Sequence, residues 1–443
     1  MIRVNNIHLS LDYDDKSVRK AVAQQLRIEE KSIKSCKIFR RSVDARKKDN
    51  IYFLTTVDAE LNINEEKVCK KCGNAQIARK YEYNQMKFGN APSPIVVGAG
   101  PAGLFAALIL ARSGAKPILI ERGRDVDRRT ADVNRFWTSG KLDITSNVQF
   151  GEGGAGTFSD GKLNSGTKDI RQRKVLEEFV SHGAPDEILY NAKPHIGTDM
   201  LKGTIKNIRN EIIELGGMVM FETKLVSMAF SDNKLKSITV ETANGDEIIE
   251  TDNVILAIGH SARDTFEMLY DLKLPIEAKP FSVGARIEHL REKVDKAQYG
   301  RFAGNKKLGS ANYKLSTHLD NGRGVYTFCM CPGGKVVNAS SEENRLCTNG
   351  MSEFARDADN SNSALLVGIN PDDYESDHPL AGIAFQRKLE KAAYKAGKGK
   401  IPVQRYGDFY RSVTGKEKEK TEAEVWYQGH EPCMKGAYEE TDL

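Results

Sequence analysis

The residues best placed to do chemistry form the glycine-rich segment Gly98-Ala99-Gly100-Pro101-Ala102-Gly103. In this dinucleotide-binding spacing, the first glycine allows a tight turn, the second lets backbone approach a pyrophosphate, and the third lets helix and strand pack closely. The apolar residues 95–97 precede the segment as a strand, and residues 104–111 follow it as a buried helix. A second apolar strand, residues 118–120, ends at Glu121, where a carboxylate can bind a ribose hydroxyl. The pattern predicts a parallel βαβ unit that binds a dinucleotide.

Two further segments favour FAD over NAD. An acid at Glu121 suits a free ribose, which both dinucleotides carry. Residues 254–260 (VILAIGH) resemble the strand and turn that return to the cofactor in glutathione-reductase-like flavoproteins. Residues 151–157 (GEGGAGT) offer many backbone N–H groups and little bulk, which suits an anionic or flavin edge. The alternative interpretation of this last segment is a mobile surface loop with nothing bound.

Two cysteines are candidates for redox chemistry. Cys329 and Cys331 lie two residues apart on a predicted strand, so they share one face, and the turn at residues 332–334 (PGG) follows them. We interpret them either as a redox pair that faces a flavin or as packing residues of a buried strand.

Two histidines and a charged pair complete the candidate catalytic groups. His195 and His260 stand beside glycine-containing turns, and imidazole titrates near neutrality, so either could move a proton. The interpretation that the sequence favours for each is a structural histidine with its hydrogen bonds satisfied. Arg286 and Glu288 alternate with apolar residues on a predicted strand. They would face one side of it, toward a substrate cavity or toward solvent.

The cysteine count and the apolar stretches indicate the compartment. Seven cysteines, an odd number, are scattered along 443 residues, which favours a reducing cytoplasm over a disulfide scaffold. Cys69 and Cys72 have redox or zinc spacing, but no second pair or paired histidine follows, so no metal site is predicted. The longest apolar stretch, residues 102–111, is far shorter than the roughly 20 residues of a membrane-spanning helix. The N-terminus lacks the apolar region of a signal peptide. We therefore expect a cytoplasmic protein with no membrane partner.

The distribution of charged and apolar residues divides the chain into domains. The net charge is +5, but residues 1–90 alone carry 19 Lys and Arg against 12 Asp and Glu. The predicted α/β organisation is a small basic domain at 1–62, a polar linker at 63–93, the dinucleotide-binding domain at 94–274, a strand-rich substrate-facing domain at 275–410 and an irregular segment at 411–443.

Several long stretches resemble one bacterial family, the FAD-dependent dehydrogenases, also described as NAD(P)/FAD-dependent oxidoreductases. They include IERGRDVDRRTADVNRFW, NVQFGEGGAGTFSDGKLN, LAIGHSARDTFEML, KPFSVGARIEH and FCMCPGGKVVNASSEE. The resemblance extends over nearly the whole chain. It implies a cofactor and a class of enzyme, but no particular reaction.

The resemblance also implies a glutathione-reductase-like, Rossmann-type FAD domain and a set of cofactor contacts. These are Gly98, Gly100, Pro101, Ala102 and Gly103 at the pyrophosphate, Glu121 and Arg122 at the adenosine ribose, Gly153, Gly154 and Thr157 along the ribityl chain or flavin, and Gly259 near the adenosine. Flavoproteins of this kind close their fold with a C-terminal strand, a glycine-acid turn and a helix. Residues 406–409 (YGDF) are a poor substitute, so we expect this chain to lack that segment.

Three functions are consistent with these observations. The first is an FAD-dependent oxidoreductase that acts on a small organic substrate. NAD(P)H stays open as a transient electron donor, although no second dinucleotide motif is present. The second is an RNA-associated flavoprotein, in which basic residues of the N-terminal domain contact phosphates. These are Arg40, Arg41, Arg46, Lys47 and Lys48. The third is a truncated, non-catalytic flavoprotein. The oligomeric state is left open.

Overall fold

The computed structural model describes residues 1–79, 81–85, 87–88, 93–167, 169–415, 433–434 and 437–440. The predicted linker at 63–93 and the predicted segment at 411–443 therefore lie partly outside the described residues. None of the described helices combines the length and the apolar character needed to cross a bilayer.

The N-terminal unit is a β-α-β-β-α-β arrangement of the ferredoxin-like type. Its elements are β1 (Ile2–Leu9), α1 (Asp15–Leu26), β2 (Ile33–Asp44), β3 (Tyr52–Leu61), α2 (Glu65–Lys71) and β4 (Ala75–Ile77). The strands form one antiparallel sheet in the order β2-β3-β1-β4. The buried face of α1, with Val18, Val22 and Leu26, packs in the same core as the sheet.

The prediction that residues 63–93 form a linker is wrong for residues 65–77. Asn64 caps α2 by accepting a 2.9 Å hydrogen bond from the backbone N–H of Lys67. β4 then pairs with β1 as an edge strand. The polar composition hid this pair of elements because Val68 is the one buried residue of α2. The N-terminal unit thus extends to Ile77.

The central unit is an α/β layer of the Rossmann type. Its elements are β5 (Ile95–Val97), α3 (Pro101–Arg112), β6 (Ile118–Ile120), α4 (Val126–Ser139), α5 (Gln172–Ser181), α6 (Thr198–Glu214), β7 (Met218–Met220), β8 (Lys224–Ser231), β9 (Lys234–Thr242), β10 (Gly245–Glu250), β11 (Val254–Leu256) and α7 (Arg263–Asp271). A parallel sheet has the order β11-β5-β6-β7, and β8, β9 and β10 form an antiparallel meander. The α/β fold class and the parallel βαβ unit are confirmed.

The third unit is rich in strands, as predicted. Its elements are β12 (Phe281–Leu290), α8 (Arg291–Tyr299), β13 (Ser316–His318), β14 (Gly324–Cys331), β15 (Lys335–Asn338), β16 (Thr348–Met351), β17 (Asn360–Ile369), α9 (Ala381–Ala396), β18 (Ile401–Val403), α10 (Tyr406–Thr414) and β19 (Tyr438–Glu440). An antiparallel sheet has the order β12-β17-β14-β13, beside the hairpin β15-β16 and the parallel pair β18-β19.

The third unit packs on the central unit next to the glycine-rich loop. The backbone N–H of Thr198 donates to the carbonyl of Ser352 at 3.1 Å, and the N–H of Phe354 donates to Asp199 at 2.8 Å. Trp137 donates its indole N–H to the carbonyl of Asn338 at 2.9 Å. These bonds hold the strand-rich unit against α4 and against the start of α6.

Candidate cofactor and thiol site

The first glycine segment has the geometry that the motif requires. Gly98 has a φ of +101°, and a Cβ atom there would lie 2.5 Å from the carbonyl oxygen of Ala257. A Cβ atom on Gly103 would lie 1.8 Å from the carbonyl oxygen of Gly98, so the helix packs directly on the turn. α3 begins after Gly100 without any side-chain cap. The first N–H groups of a helix lack intrahelical partners, so this end can bind an anion.

The second glycine segment lies directly on the first. The N–H of Gly153 donates to the carbonyl of Ala99 at 2.8 Å. A Cβ atom on Gly154 would lie 3.1 Å from the Cα atom of Gly100. Thr157 is buried, and its hydroxyl donates to the carbonyl of Glu152 at 3.3 Å. The two segments form one cradle, which excludes the interpretation of residues 151–157 as a free surface loop.

Arg129 holds this loop in place and was not singled out by the sequence analysis. Its side chain is fully buried in α4, and its guanidinium donates to five backbone carbonyls of residues 147–154. Burial lowers the pKa of Arg129 to about 10, so the group stays charged at neutral pH. A side chain at Gly151 would collide with it, because a Cβ atom there would lie 2.4 Å from Cδ of Arg129.

The carboxylate of Glu121 links the same two segments. It is buried and accepts hydrogen bonds from the N–H groups of Ala99 at 2.7 Å, Gly123 at 2.9 Å and Gly151 at 3.0 Å. These bonds give Glu121 a structural role that the sequence analysis missed. Its contact with a ribose stays a prediction.

The structure also places the two outer residues of the predicted cofactor site. Arg122 forms an ion pair of 2.9 Å with Asp264 and lies 4.4 Å from the centre of the Phe150 ring. Gly259 follows β11 with a φ of +72° and open space where a Cβ would be. Their contacts with an adenosine stay predictions.

The cradle fits a dinucleotide such as FAD. Side chains at Gly98, Gly103, Gly153 or Gly154 would occupy positions already taken by backbone or by Thr157. The uncapped end of α3 supplies N–H groups for a pyrophosphate.

A pair of thiols lies in a cationic setting next to the cradle. The Nζ atom of Lys162 is 3.7 Å from Sγ of Cys331 and 3.9 Å from Sγ of Cys329. Arg286 donates to the carbonyl of Cys329 at 2.9 Å and to the amide oxygen of Asn362 at 2.6 Å. Among the described residues, no carboxylate lies within ion-pair distance of Arg286. The contacts bring both predicted cysteines to one site.

The strand is distorted where it carries the thiols. The pairing of β14 with β17 shifts register between Phe328 and Cys331, and Cys329 has a φ of +46°. A non-glycine residue in this region costs of order 1–3 kcal/mol, and such strain is concentrated at functional sites. Cys329 is half-buried, whereas Cys331 is fully buried.

The pKa values of the two thiols are shifted in opposite directions. A hydrogen bond from Cys331, with the charges of Lys162 and Arg286, lowers the pKa of Cys329 against the effect of burial. The same hydrogen bond, together with burial, raises the pKa of Cys331 well above its ordinary value. The site therefore favours a thiolate at Cys329 and a protonated thiol at Cys331.

Asp160 connects the thiol site to the strand-rich unit. Its fully buried carboxylate pairs with Lys162 at 2.8 Å and with Arg356, and it accepts a hydrogen bond from Ser352. Burial alone would raise the pKa of Asp160, but the charges of Arg356 and Lys162 more than offset it and lower the pKa.

His195 belongs to this cluster, whereas His260 does not. Nε2 of His195 is 2.9 Å from the carbonyl oxygen of Phe354, so this nitrogen carries the proton. Burial and the charge of Arg356 lower the pKa of His195, which keeps the ring neutral at pH 7. His260 is exposed after β11, and within the described part of the chain no hydrogen bond or ion pair joins it to the thiols.

Lys162, Asn362 and Gly350 are site residues that the sequence analysis missed. A Cβ atom on Gly350 would lie 2.3 Å from Nη2 of Arg286, 2.6 Å from Oδ1 of Asn362 and 2.7 Å from Sγ of Cys331. One signal was present in the sequence. The polar run at residues 360–363 (NSNS) opens the apolar strand β17, and all four of its residues are buried.

Three parts of the chain match known domain families. Residues 1–60 match a domain of unknown function, residues 93–132 match an FAD binding domain, and residues 280–434 match the C-terminal domain of FAD-dependent proteins. The second match covers the first glycine segment and α3, and the third covers the thiol pair.

Two solved flavoproteins show weak structural similarity. Glycerol-3-phosphate dehydrogenase from Bacillus halodurans, complexed with FAD, has a TM-score of 0.33 and 13% identity, over 69% of this chain and 53% of that chain. The flavin-dependent brominase Bmp2 also has a TM-score of 0.33, with 14% identity over 68% and 64%. TM-scores of this size do not establish a shared fold.

Sequence relatives give a firmer result. A tRNA uridine 5-carboxymethylaminomethyl modification enzyme of Finegoldia magna is 25% identical over 58% of this chain and 39% of its own length. An uncharacterized protein of Clostridium beijerinckii is 48% identical over 93% of this chain and 78% of its own length. The chain therefore belongs to the same family as the Clostridium beijerinckii protein, a family of FAD-dependent proteins.

Proposed function

We propose that this protein is an FAD-dependent dehydrogenase that acts on a small organic substrate by hydride transfer. The observation that carries the proposal is the continuity of the site. The cradle at residues 98–103 and 151–157 leads within a few residues to Asp160 and Lys162, and from there to the thiols. When bound, FAD supplies a two-electron donor and acceptor. Seven free cysteines support a reducing compartment such as the cytoplasm.

The residues of the cradle would hold the cofactor. The N-terminus of α3 would bind the pyrophosphate, with Gly98, Gly100, Pro101, Ala102 and Gly103 leaving the backbone accessible. Glu121 and Arg129 would keep the two glycine segments in register through their bonds to backbone N–H groups and carbonyls.

His195 is the proposed proton acceptor for the substrate. Its Nε2–H group donates to the carbonyl of Phe354, which leaves the lone pair of Nδ1 to accept a proton. The lowered pKa keeps this lone pair available at neutral pH. His260 is the weaker candidate because it is exposed and separate from the cluster.

The first experiment is the visible spectrum of the purified full-length chain before and after addition of FAD. We expect a flavin spectrum that survives gel filtration, and anaerobic bleaching by a substrate; NADH and NADPH belong in the same screen. Gly103→Ala should abolish flavin binding, because its Cβ would overlap the carbonyl of Gly98. Gly203→Ala is the matched control, since a Cβ there meets nothing within 4 Å.

Two results would overturn the proposal. A chain that folds but never acquires flavin would support the non-catalytic alternative. A flavin-loaded chain whose flavin is reduced by no donor and oxidised by no acceptor would exclude dehydrogenase activity.

RNA association is the second candidate, favoured by the similarity to the tRNA modification enzyme. Arg40, Lys47 and Lys48 are exposed on the basic N-terminal unit. Arg46 forms an ion pair with Asp44, and Arg41 is bonded to other protein groups. Binding of tRNA that weakens steeply with salt would support this function. Absence of binding at low salt would exclude it.

A further inference from the structure

We propose that Cys329 and Cys331 are a dithiol–disulfide pair, with Cys329 attacking and Cys331 resolving, whose substrate class is an organic disulfide. The inference rests on the proposed oxidoreductase function for the return of electrons from reduced flavin. The thiol exchange itself requires no cofactor, so the two proposals can fail separately.

The first support is the position of the two sulfur atoms. Both lie within 4 Å of the Nζ atom of Lys162, and the thiol of Cys331 donates a hydrogen bond of 3.3 Å to the carbonyl of Cys329. The register shift in β14 and the left-handed backbone at Cys329 produce this arrangement. The two thiols are therefore held side by side next to one lysine, where an intramolecular disulfide can form between them.

The second support is the difference in access between the two thiols. Cys329 is half-buried, so part of its side chain can meet a substrate. Cys331 is fully buried, so it can react with Cys329 but with nothing larger from solvent. An accessible thiolate beside a buried thiol is the arrangement that disulfide exchange needs.

The third support is the balance of charges around the sulfurs. Lys162 and Arg286 approach them, and Arg356 lies further out. Asp160 is shared between Lys162 and Arg356, and Glu288, two residues from Arg286 on β12, accepts a hydrogen bond from Asn360. Arg286 meets no carboxylate among the described residues. The site therefore has an excess positive charge that a thiolate at Cys329 would balance.

Asn362 adds an independent observation. Its side chain is fully buried beside Arg286, and its Nδ2 atom has no hydrogen-bond partner among the described residues. A buried amide N–H without an acceptor is costly. A substrate carbonyl or carboxylate near the thiols would supply that acceptor.

The protein contains an internal comparison in Cys69 and Cys72. Their spacing is that of many redox pairs, but Cys69 lies in the last turn of α2, where the helix dipole disfavours a thiolate. Burial, with a contribution from Glu65, raises the pKa of Cys69. The pair packs against the core of the N-terminal unit, so we expect it to be inert.

The exchange can be written with all atoms balanced. The thiolate of Cys329 attacks one sulfur of the substrate disulfide, so a mixed disulfide forms and one substrate thiolate leaves. Cys331 then loses its proton and attacks Sγ of Cys329, which releases the second substrate thiolate. The two thiolates take up two protons in all, one from Cys331 and one from solvent. The substrate is reduced by two electrons and the cysteine pair is oxidised by two.

The experiment uses the full chain without added FAD. The reduced protein is treated with glutathione disulfide, and the remaining thiols are alkylated and located by mass spectrometry. We expect a peptide in which Cys329 and Cys331 have lost two hydrogen atoms, while Cys69 and Cys72 stay alkylated. In Cys331→Ser, the mixed disulfide between glutathione and Cys329 should accumulate.

A second measurement follows the alkylation rate of each cysteine against pH. The midpoint for Cys329 should lie at least about one pH unit below that for Cys69, and it should rise in Lys162→Met. The proposal is overturned if Cys329 and Cys69 titrate together, or if no disulfide forms between Cys329 and Cys331. Neither result would affect flavin binding, which the visible spectrum reports separately.

Discussion

The Nζ atom of Lys162 lies 3.7 Å from the Sγ atom of Cys331, although 169 residues separate the two in sequence. Lys162 follows the glycine-rich loop, and Cys331 ends strand β14 of the strand-rich unit. This contact therefore joins the cofactor cradle to the thiol pair. It makes the position of the thiols depend on the packing of two separate units.

Gly350→Ala should disturb the thiol site and leave the cradle intact. Its Cβ would lie within 2.7 Å of atoms of Arg286, Asn362 and Cys331. We expect overpacking to cost about 1–3 kcal/mol of unfolding free energy. The alkylation of Cys329 should also slow, because Arg286 is displaced. Urea unfolding and thiol labelling would measure the two effects.

The control for this variant is Gly324→Ala in the same strand as the thiols. A Cβ there meets nothing within 4 Å, so the change in stability should stay within about 0.5 kcal/mol. Equal losses in the two variants would contradict the assigned role of Gly350.

Asp160→Asn should destabilise the protein in a pH-dependent way. Removal of the carboxylate leaves Arg356 and Lys162 without their buried partner, which should cost about 3–5 kcal/mol at neutral pH. The pKa of Asp160 is lowered in the folded protein, so its contribution is present above pH of about 4 and lost as the pH falls through the folded value. The difference between wild type and variant should therefore shrink on acidification.

The measurement is the free energy of unfolding of both proteins between about pH 7 and pH 3. Asp169→Asn is the control, because Asp169 is partly exposed and pairs with the largely exposed Arg171. A surface pair of this kind contributes about 1 kcal/mol or less. A constant difference across the pH range for Asp160→Asn would show that its charge is not the stabilising feature.

The sequence predicts features that depend on neighbours along the chain. The strand, glycine turn and helix around Gly98 and Gly103 follow a local pattern. A Cβ atom on Gly103 would collide with the nearby carbonyl of Gly98, and one on Gly98 would collide with Ala257, which follows β11. The alternation and apolar runs also predict the parallel sheet and the strand-rich unit. These are the parts of the fold that the structure confirms.

The remaining features depend on contacts that no local pattern encodes. Arg129 appears in a run of charged residues and would be expected at the surface, yet it is fully buried because five carbonyls surround it. Lys162 reaches the thiols only through packing of the two units. The helix and strand at residues 65–77 were hidden by their polar composition.

Arg129→Met should destabilise the glycine-rich loop and weaken FAD binding. The variant leaves five buried carbonyls without their donor, so we expect a loss of about 3 kcal/mol or more. Arg128→Met is the neighbouring control, because Arg128 is 52% exposed and pairs with Asp125 and Glu222 at the surface. Its change should stay within about 1 kcal/mol. Thermal unfolding and FAD titration would separate the two variants, and similar losses in both would contradict the role of Arg129.

Arg41→Met should loosen the N-terminal unit from the central unit. Arg41 donates to Asn191 at 2.8 Å and to Tyr13 at 2.9 Å, and its guanidinium lies 4.9 Å from the centre of the Tyr190 ring. Loss of these bonds should cost about 1–3 kcal/mol and increase hydrogen exchange around Tyr190. Arg40→Met is the matched control, since Arg40 is exposed on the same strand and should leave exchange unchanged.

The same two variants separate the structural use of the basic residues from RNA binding. If tRNA binds, Arg40→Met should weaken it and reduce its salt dependence, because an exposed arginine is available to a phosphate. In the folded Arg41→Met variant, the salt dependence of tRNA binding should be unchanged, because the guanidinium of Arg41 is already bonded to protein groups. The reverse pattern would place Arg41 at a phosphate and would contradict its role as a contact between the two units.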